Sequence, residues 1–165
     1  MRTLIAMSTI VGVLTLGTLE ADVPKTIDVP KQIGVLKNSK SARERATAAE
    51  EIGRYGAIKA SAVRDAIEPL ENAAKNDTDA DVRRAAIKAL GDIAPDAAKT
   101  VPLLMEALKD KSATVKLAAV GALGQYGPEA RSALAALREL AANKTDKKFS
   151  MAAKAAIKSI SGKKN

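Results

Sequence analysis

The run Val82-Arg83-Arg84-Ala85-Ala86-Ile87-Lys88-Ala89-Leu90-Gly91-Asp92-Ile93-Ala94 returns 33 residues later as Val115-Lys116-Leu117-Ala118-Ala119-Val120-Gly121-Ala122-Leu123-Gly124-Gln125-Tyr126-Gly127. A looser copy stands 38 residues upstream, where Arg45, Ala48, Ile52, Gly53, Tyr55 and Gly56 match Arg83, Ala86, Leu90, Gly91, Ile93 and Ala94. A fourth follows 34 residues beyond the third, with Phe149, Ala152, Ala153, Ile157 and Ile160 matching Val115, Ala118, Ala119, Leu123 and Tyr126. Recurrence at such a period means stacked units, each unable to bury its apolar face alone, so the chain must extend by repetition rather than close around one centre.

Within each copy the apolar residues fall at three-to-four residue spacing, the period of a helix with one buried face. The segments between copies have the same period. Val63, Ile67, Leu70 and Ala74 stripe residues 58–76, Val101, Leu104 and Leu108 stripe 96–109, and Leu134, Leu137 and Leu140 stripe the segment that ends at Ala142. A short helix over 31–38 supplies the outer partner of the first copy. The expectation is an all-α solenoid, a superhelix of about four antiparallel helix pairs over residues 31–162. Gly56 reads as a left-handed helix stop, and Pro102, deep in an outer helix, predicts a kink or break there. Gly53, Gly91 and Gly124 recur at one helical position, where glycine is about 1 kcal/mol worse than alanine; a neighbouring backbone passing close by would explain the repetition.

Composition narrows the chemistry. Aromatic residues are only 2% of the chain, so the interior is built from small and aliphatic side chains on closely approaching helices. There is no histidine and no cysteine, which excludes disulfides, thiolate zinc sites, cysteine nucleophiles, Ser-His-Asp triads and histidine-ligated iron. No carboxylate cluster has metal-ligand spacing; Asp77, Asp79 and Asp81 lack the later glycine and glutamate of a calcium loop and read as helix-capping residues. No phosphate-binding loop, cofactor motif or catalytic residue is found, and the chain is expected to be a non-enzyme.

The first residues read as an address. Arg2 precedes an uncharged stretch from Thr3 to Thr18, which suits a secretory signal over residues 1–21 with cleavage after about Ala21. Residues 22–30, with Pro24 and Pro30, read as an extended lead-in, and residues 163–165 as a basic tail. The expected location is the periplasm or the exterior of a bacterium; membrane attachment would come only from an uncleaved N-terminal segment.

The unit, with its Val-Arg-x-x-Ala-Ala-x-x-Ala-Leu-Gly inner helix, resembles HEAT repeats, in particular the short variety of phycobilisome lyase-like proteins. The likeness covers roughly residues 31–161, tightest in the two central copies and looser at the ends, where Glu44 and Lys154 stand at aliphatic positions. It implies a polar ladder between units built from an inter-helix aspartate and the basic residue after it, here Asp77 with Arg83 and Asp110 with Lys116, and weak at the two ends. Among similar families, HEAT-like hydroxylases need histidine, which this chain lacks. Phycobilin lyases are longer chains and nothing here specifies a bilin pocket, which leaves a phycobilin lyase-like subunit as a remote alternative.

Two functional readings follow. In the first, the protein is a monomeric scaffold whose inner helices offer a concave face to a protein or peptide. Its contact residues are those outside the core stripe: Glu50, Arg54, Arg84, Lys88, Asp92, Leu117, Gln125 and Lys158. In the second, it is a structural or assembly subunit of a larger cell-surface complex. The formal charge of +8 lies mostly at the C-terminal end, where seven lysines follow Asn143 against Asp146 alone. Lys147, Lys148, Lys154, Lys158, Lys163 and Lys164 are candidates for holding an anionic surface. Nucleic acid is a poor fit, since no aromatic is interleaved to stack on bases.

Overall fold

Asp28 opens the first helix, its carboxylate accepting a hydrogen bond from the Lys31 amide at 3.0 Å, and the same alternation of cap, helix and short turn then continues along the chain. The computed structural model describes residues 26–142 and 146–162; the expected signal segment, residues 22–25 of the lead-in, and Lys163 and Lys164 lie outside the described residues. The α-helices are α1 (Val29–Asn38), α2 (Ala42–Gly56), α3 (Ile67–Asn76), α4 (Ala80–Ile93), α5 (Ala97–Ala107), α6 (Ala113–Tyr126), α7 (Leu134–Ala142) and α8 (Lys147–Ile160). Short 3-10 helices, Ala60–Ala66 and Gly127–Ala133, lead into α3 and α7.

The helices form two layers. The inner row runs α2, α4, α6, α8, each packed on the next, and the outer helices α1, α3, α5 and α7 pair with them in turn. This is the all-α solenoid that the repeat demands. Alanine sets its tightness: Ala49, Ala85, Ala86, Ala89, Ala119, Ala122 and Ala153 are all buried in the core, with Ile52, Leu90, Leu123 and Ile160 filling the space between layers. Small residues let packed helices approach and raise contact density where rings are scarce.

Several local expectations change. The first helix starts at Val29 rather than Lys31, because Asp28 caps it and Pro30 in the first turn has no amide to lose. The outer segments 58–76 and 128–142 are not single helices. Val63 (φ −112°, ψ 16°) and Ala130 (φ −89°, ψ 22°) leave helical geometry and are fully buried. Pro102 causes no break: α5 runs through it. Leu134 and Leu140 are half-buried, leaving Leu137 as the buried leucine of α7.

Gly56 is not a left-handed stop either. It is the last residue of α2, and a Cβ there would lie 2.5 Å from Ile93 Cγ1 and 2.7 Å from Val63 Cγ2, so packing excludes any side chain. Positive φ occurs at Gly127 (φ 55°) and Gly162 (φ 64°), and the residue that takes the left-handed conformation in the next unit is the equivalent of Gly56, Ala94 (φ 46°, ψ 59°). An exposed alanine in this conformation is strained by roughly 1–2 kcal/mol. Ala94→Gly is therefore expected to stabilise the protein by about 0.5–1 kcal/mol, once the greater freedom of glycine in the unfolded chain is set against the relief. Urea unfolding checks this through a higher midpoint at unchanged slope.

Candidate functional site

Two polar constructions stand out from this alanine-rich frame, a buried ladder between units and a groove on the inner face. In the ladder, the Arg45 guanidinium grips the Asp77 carboxylate through Nε and Nη2 at 2.7 and 2.8 Å, and Arg83 grips Asp110 at 2.8 and 3.0 Å. Each arginine also donates to its own turn: Arg45 to the Ser39 carbonyl, Arg83 to the carbonyls of Asp77 and Thr78. Each aspartate in turn accepts a turn amide, from Asp79 at 2.9 Å and Ser112 at 2.7 Å. A rung thus joins the arginine of one unit to the aspartate of the next, rather than to the aspartate six residues before it.

The first rung is as complete as the second, so the N-terminal end is not weakened. The third position is different. Lys116 Nζ lies over the Phe149 ring, 5.4 Å from its centre, a cation–π contact in place of an ion pair with Asp110. The arginine hydrogen bonds hold Asp77 and Asp110 below the usual carboxylate range, against the opposing pull of burial. The ladder is structural: every donor in it points at protein.

The groove lies on the inner-helix face across α4, α6 and α8, with a volume of about 560 Å³. Its floor is the side of α6 that carries Leu117, Ala118, Gly121 and Ala122. Its walls are Arg84, Lys88 and Asp92 from α4, Gln125 from α6, and Lys148 and Ala152 from α8. Of the residues expected on a concave face, Arg84, Lys88, Asp92, Leu117 and Gln125 come together here, joined by Lys148 from the lysine-rich end. Glu50 does not line it; its carboxylate pairs with Arg84 at 3.5 Å and lines a second hollow over α2 and α4. Arg54 and Lys158 are exposed and line neither hollow.

Polar contacts hold the wall in place. Lys88 Nζ donates to Asp92 at 2.8 Å, and Gln125 Nε2 donates to the other oxygen of Asp92 at 2.9 Å, tying α4 to α6. The residue that sequence reasoning missed is Gly121. It occupies on α6 the place that Lys88 holds on α4, and a Cβ there would meet nothing within 4 Å. The signal was in the sequence: Gly121 is out of phase with the recurring Gly53, Gly91 and Gly124. The rest of the C-terminal candidates, Lys147, Lys154 and Lys158, are exposed on α8 beside Met151, which is 71% exposed.

No acid–base constellation is visible among the described residues, nor any group of three acidic side chains that could hold a metal. Burial pushes the Tyr126 phenol up to about 12, so it stays protonated at neutral pH and offers no base. Among the described residues no helix is long and apolar enough to cross a membrane.

Comparison with known proteins agrees with this architecture. The family model of HEAT repeats matches residues 29–99 and 67–158. No curated protein matches the chain. Among solved structures it is similar to the crystal structure of an engineered protein from the Northeast Structural Genomics Consortium, with 26% identity and a TM-score of 0.67. That match covers 82% of this chain and 63% of the other, so this chain spans less than two thirds of its length. From the 33-residue recurrence, the two-layered stack and the match over residues 29–158, the chain belongs to the HEAT-repeat family.

Proposed function

We propose that this helical repeat scaffold binds a protein or peptide segment in the groove over α4, α6 and α8 and performs no chemistry of its own. The observation that carries the reading is Gly121. A mid-helix glycine is about 1 kcal/mol worse than alanine, and here no neighbouring atom of the protein requires it. Glycine is the residue that lets another molecule come close to a backbone. Around it, Leu117, Ala118 and Ala122 make an apolar floor, and Met151 holds on α8 the register that Leu117 holds on α6, exposed to solvent. Export through residues 1–21 and a monomeric state belong to the same proposal, on the strength of the sequence alone.

Gly121→Leu separates binding from folding. The leucine enters empty space and improves helix propensity, so melting should rise by a few degrees, while binding of the segment falls at least about tenfold because the floor is filled. Lower melting with unchanged binding would place the site elsewhere.

A second reading, docking of the α8 end on an anionic surface, has its support in the exposed Lys147, Lys154 and Lys158 around Met151. Glutamine at these three positions should then abolish binding to anionic vesicles, and 0.5 M salt should do the same, since exposed charges are already screened beyond about 10 Å at about 0.1 M. Should the protein instead sediment as an oligomer, the role of assembly subunit becomes the better one.

A further inference from the structure

We infer that the groove selects an extended peptide segment with three features in order: a basic side chain towards α2, an apolar side chain on the Gly121 floor, and a carboxylate towards α8. This rests on the groove reading above and adds the chemistry of the occupant.

The argument is one of charge. On the α8 side, Lys148 faces the groove, and among the described residues no carboxylate lies within ion-pair distance of it. Asp92, the carboxylate of the groove wall, is already used twice, by Lys88 at 2.8 Å and Gln125 at 2.9 Å. An anionic group on the occupant is the complement missing at this end. On the α2 side the sign reverses. The second hollow, about 480 Å³ over α2 and α4, is lined by Glu50, Asp79 and Asp81 with Arg43. Arg84 stands on the wall between the two hollows, bound to Glu50 at 3.5 Å and Asp81 at 3.3 Å. The inner-helix face therefore runs from acidic over α2 to basic at α8, with the apolar floor on the basic side.

The repeat also sets the spacing. Packed helices lie about 8–10 Å apart, so the hollow over α2 and α4 and the Lys148 end of the groove, about two helix steps apart, are separated by roughly 18 Å. An extended chain advances about 3.3 Å per residue, which puts the basic and acidic side chains about five or six residues apart.

A displayed library of random dodecapeptides, selected on the full chain and counter-selected on its Gly121→Leu variant, tests this. Enriched peptides should share a leucine, methionine or phenylalanine next to an aspartate or glutamate, with a lysine or arginine about five or six residues from the acid. Lys148→Glu, a change at an exposed position, should weaken those peptides about tenfold in low salt and shift a fresh selection towards a basic residue in place of the acid. Enrichment that is lost on Gly121→Leu but shows no acidic preference, and is indifferent to Lys148→Glu, would leave the groove reading standing and overturn this one. No enrichment over Gly121→Leu would overturn both.

Discussion

Replacing Arg83 with methionine should destabilise the protein by about 3–5 kcal/mol, the usual effect of removing one partner of a buried ion pair. For a chain of this length that lowers the melting temperature by roughly 10 °C or more. Methionine keeps most of the aliphatic stem and so isolates the guanidinium. What is lost is more than an attraction. Asp110 would remain in the unit junction, only 14% exposed, with its arginine gone, and the carbonyls of Asp77 and Thr78 would lose their donor. An exposed pair, such as Lys88 with Asp92, would by comparison contribute about 0–1 kcal/mol. Arg83→Met with Asp110→Leu should recover much of the loss, since an apolar pair of similar shape replaces the charges without leaving one unpaired.

The same pair fixes how stability responds to acid. Asp77 and Asp110 are held below their ordinary value of 3.8 in the folded state, first by the arginine hydrogen bonds. A lowered folded pKa means a contribution that is complete above the unfolded pKa and fades as pH falls below it. The wild type should therefore lose stability below about pH 4. In Arg83→Met the largest cause holding the Asp110 carboxyl down is gone, while burial still raises it and the Ser112 amide and Lys111 still lower it. The contribution of Asp110 above about pH 4 is then smaller, and the deficit relative to wild type should shrink as pH falls. Urea titrations of both proteins between neutral pH and pH 3 check the convergence; parallel curves would mean that Arg83 acts through packing alone.

The stack was legible in the sequence because repetition averages out local ambiguity: one helix with an apolar stripe is weak evidence, and the same stripe at a constant offset is strong. The ladder was legible only as a set of residues. Asp77 and Arg83 are six apart in sequence, and that proximity suggested a local pair, whereas the fold brings Arg83 to Asp110, 27 residues on, and leaves Asp77 to Arg45. Spacing within a unit cannot say which neighbour a long side chain reaches across the junction. The bends of the outer segments were hidden for a similar reason. Nothing in Val63 or Ala130 marks a break; both are fully buried in the fold, Val63 against Gly56 at the end of α2. The groove needed the third dimension, since Lys148 joins Arg84 and Lys88 only because α8 stacks on α6 as α6 stacks on α4.

Among the three recurring glycines Gly53→Ala should be the most harmful substitution, and the three should fall in a graded order. A Cβ on Gly53 would lie 2.7 Å from Ala89 Cα and 2.8 Å from Ala89 Cβ; the first is backbone and cannot swing aside. Helix α2 would have to move off α4, at about 2–3 kcal/mol, the range for overpacked cores. On Gly91 the added carbon meets Gln125 Oε1, the end of a flexible side chain, and Ala122 Cβ at 2.8 Å, so part of the strain relaxes by giving up the Gln125–Asp92 hydrogen bond. On Gly124 the nearest atom is Ala156 Cα at 3.3 Å. A few tenths of an ångström of adjustment suffices there, and the gain of about 1 kcal/mol in helix propensity offsets it. Melting temperatures should thus fall in the order wild type close to Gly124→Ala, then Gly91→Ala, then Gly53→Ala. If all three glycines were merely tolerated in a fraying last turn, each alanine would raise stability by the same propensity gain, and the gradient would be absent. Hydrogen exchange adds a spatial check: in Gly53→Ala the amides of α1 and α2 should exchange faster while those of α6 and α8 hold, because in a solenoid each unit is secured only by its neighbours.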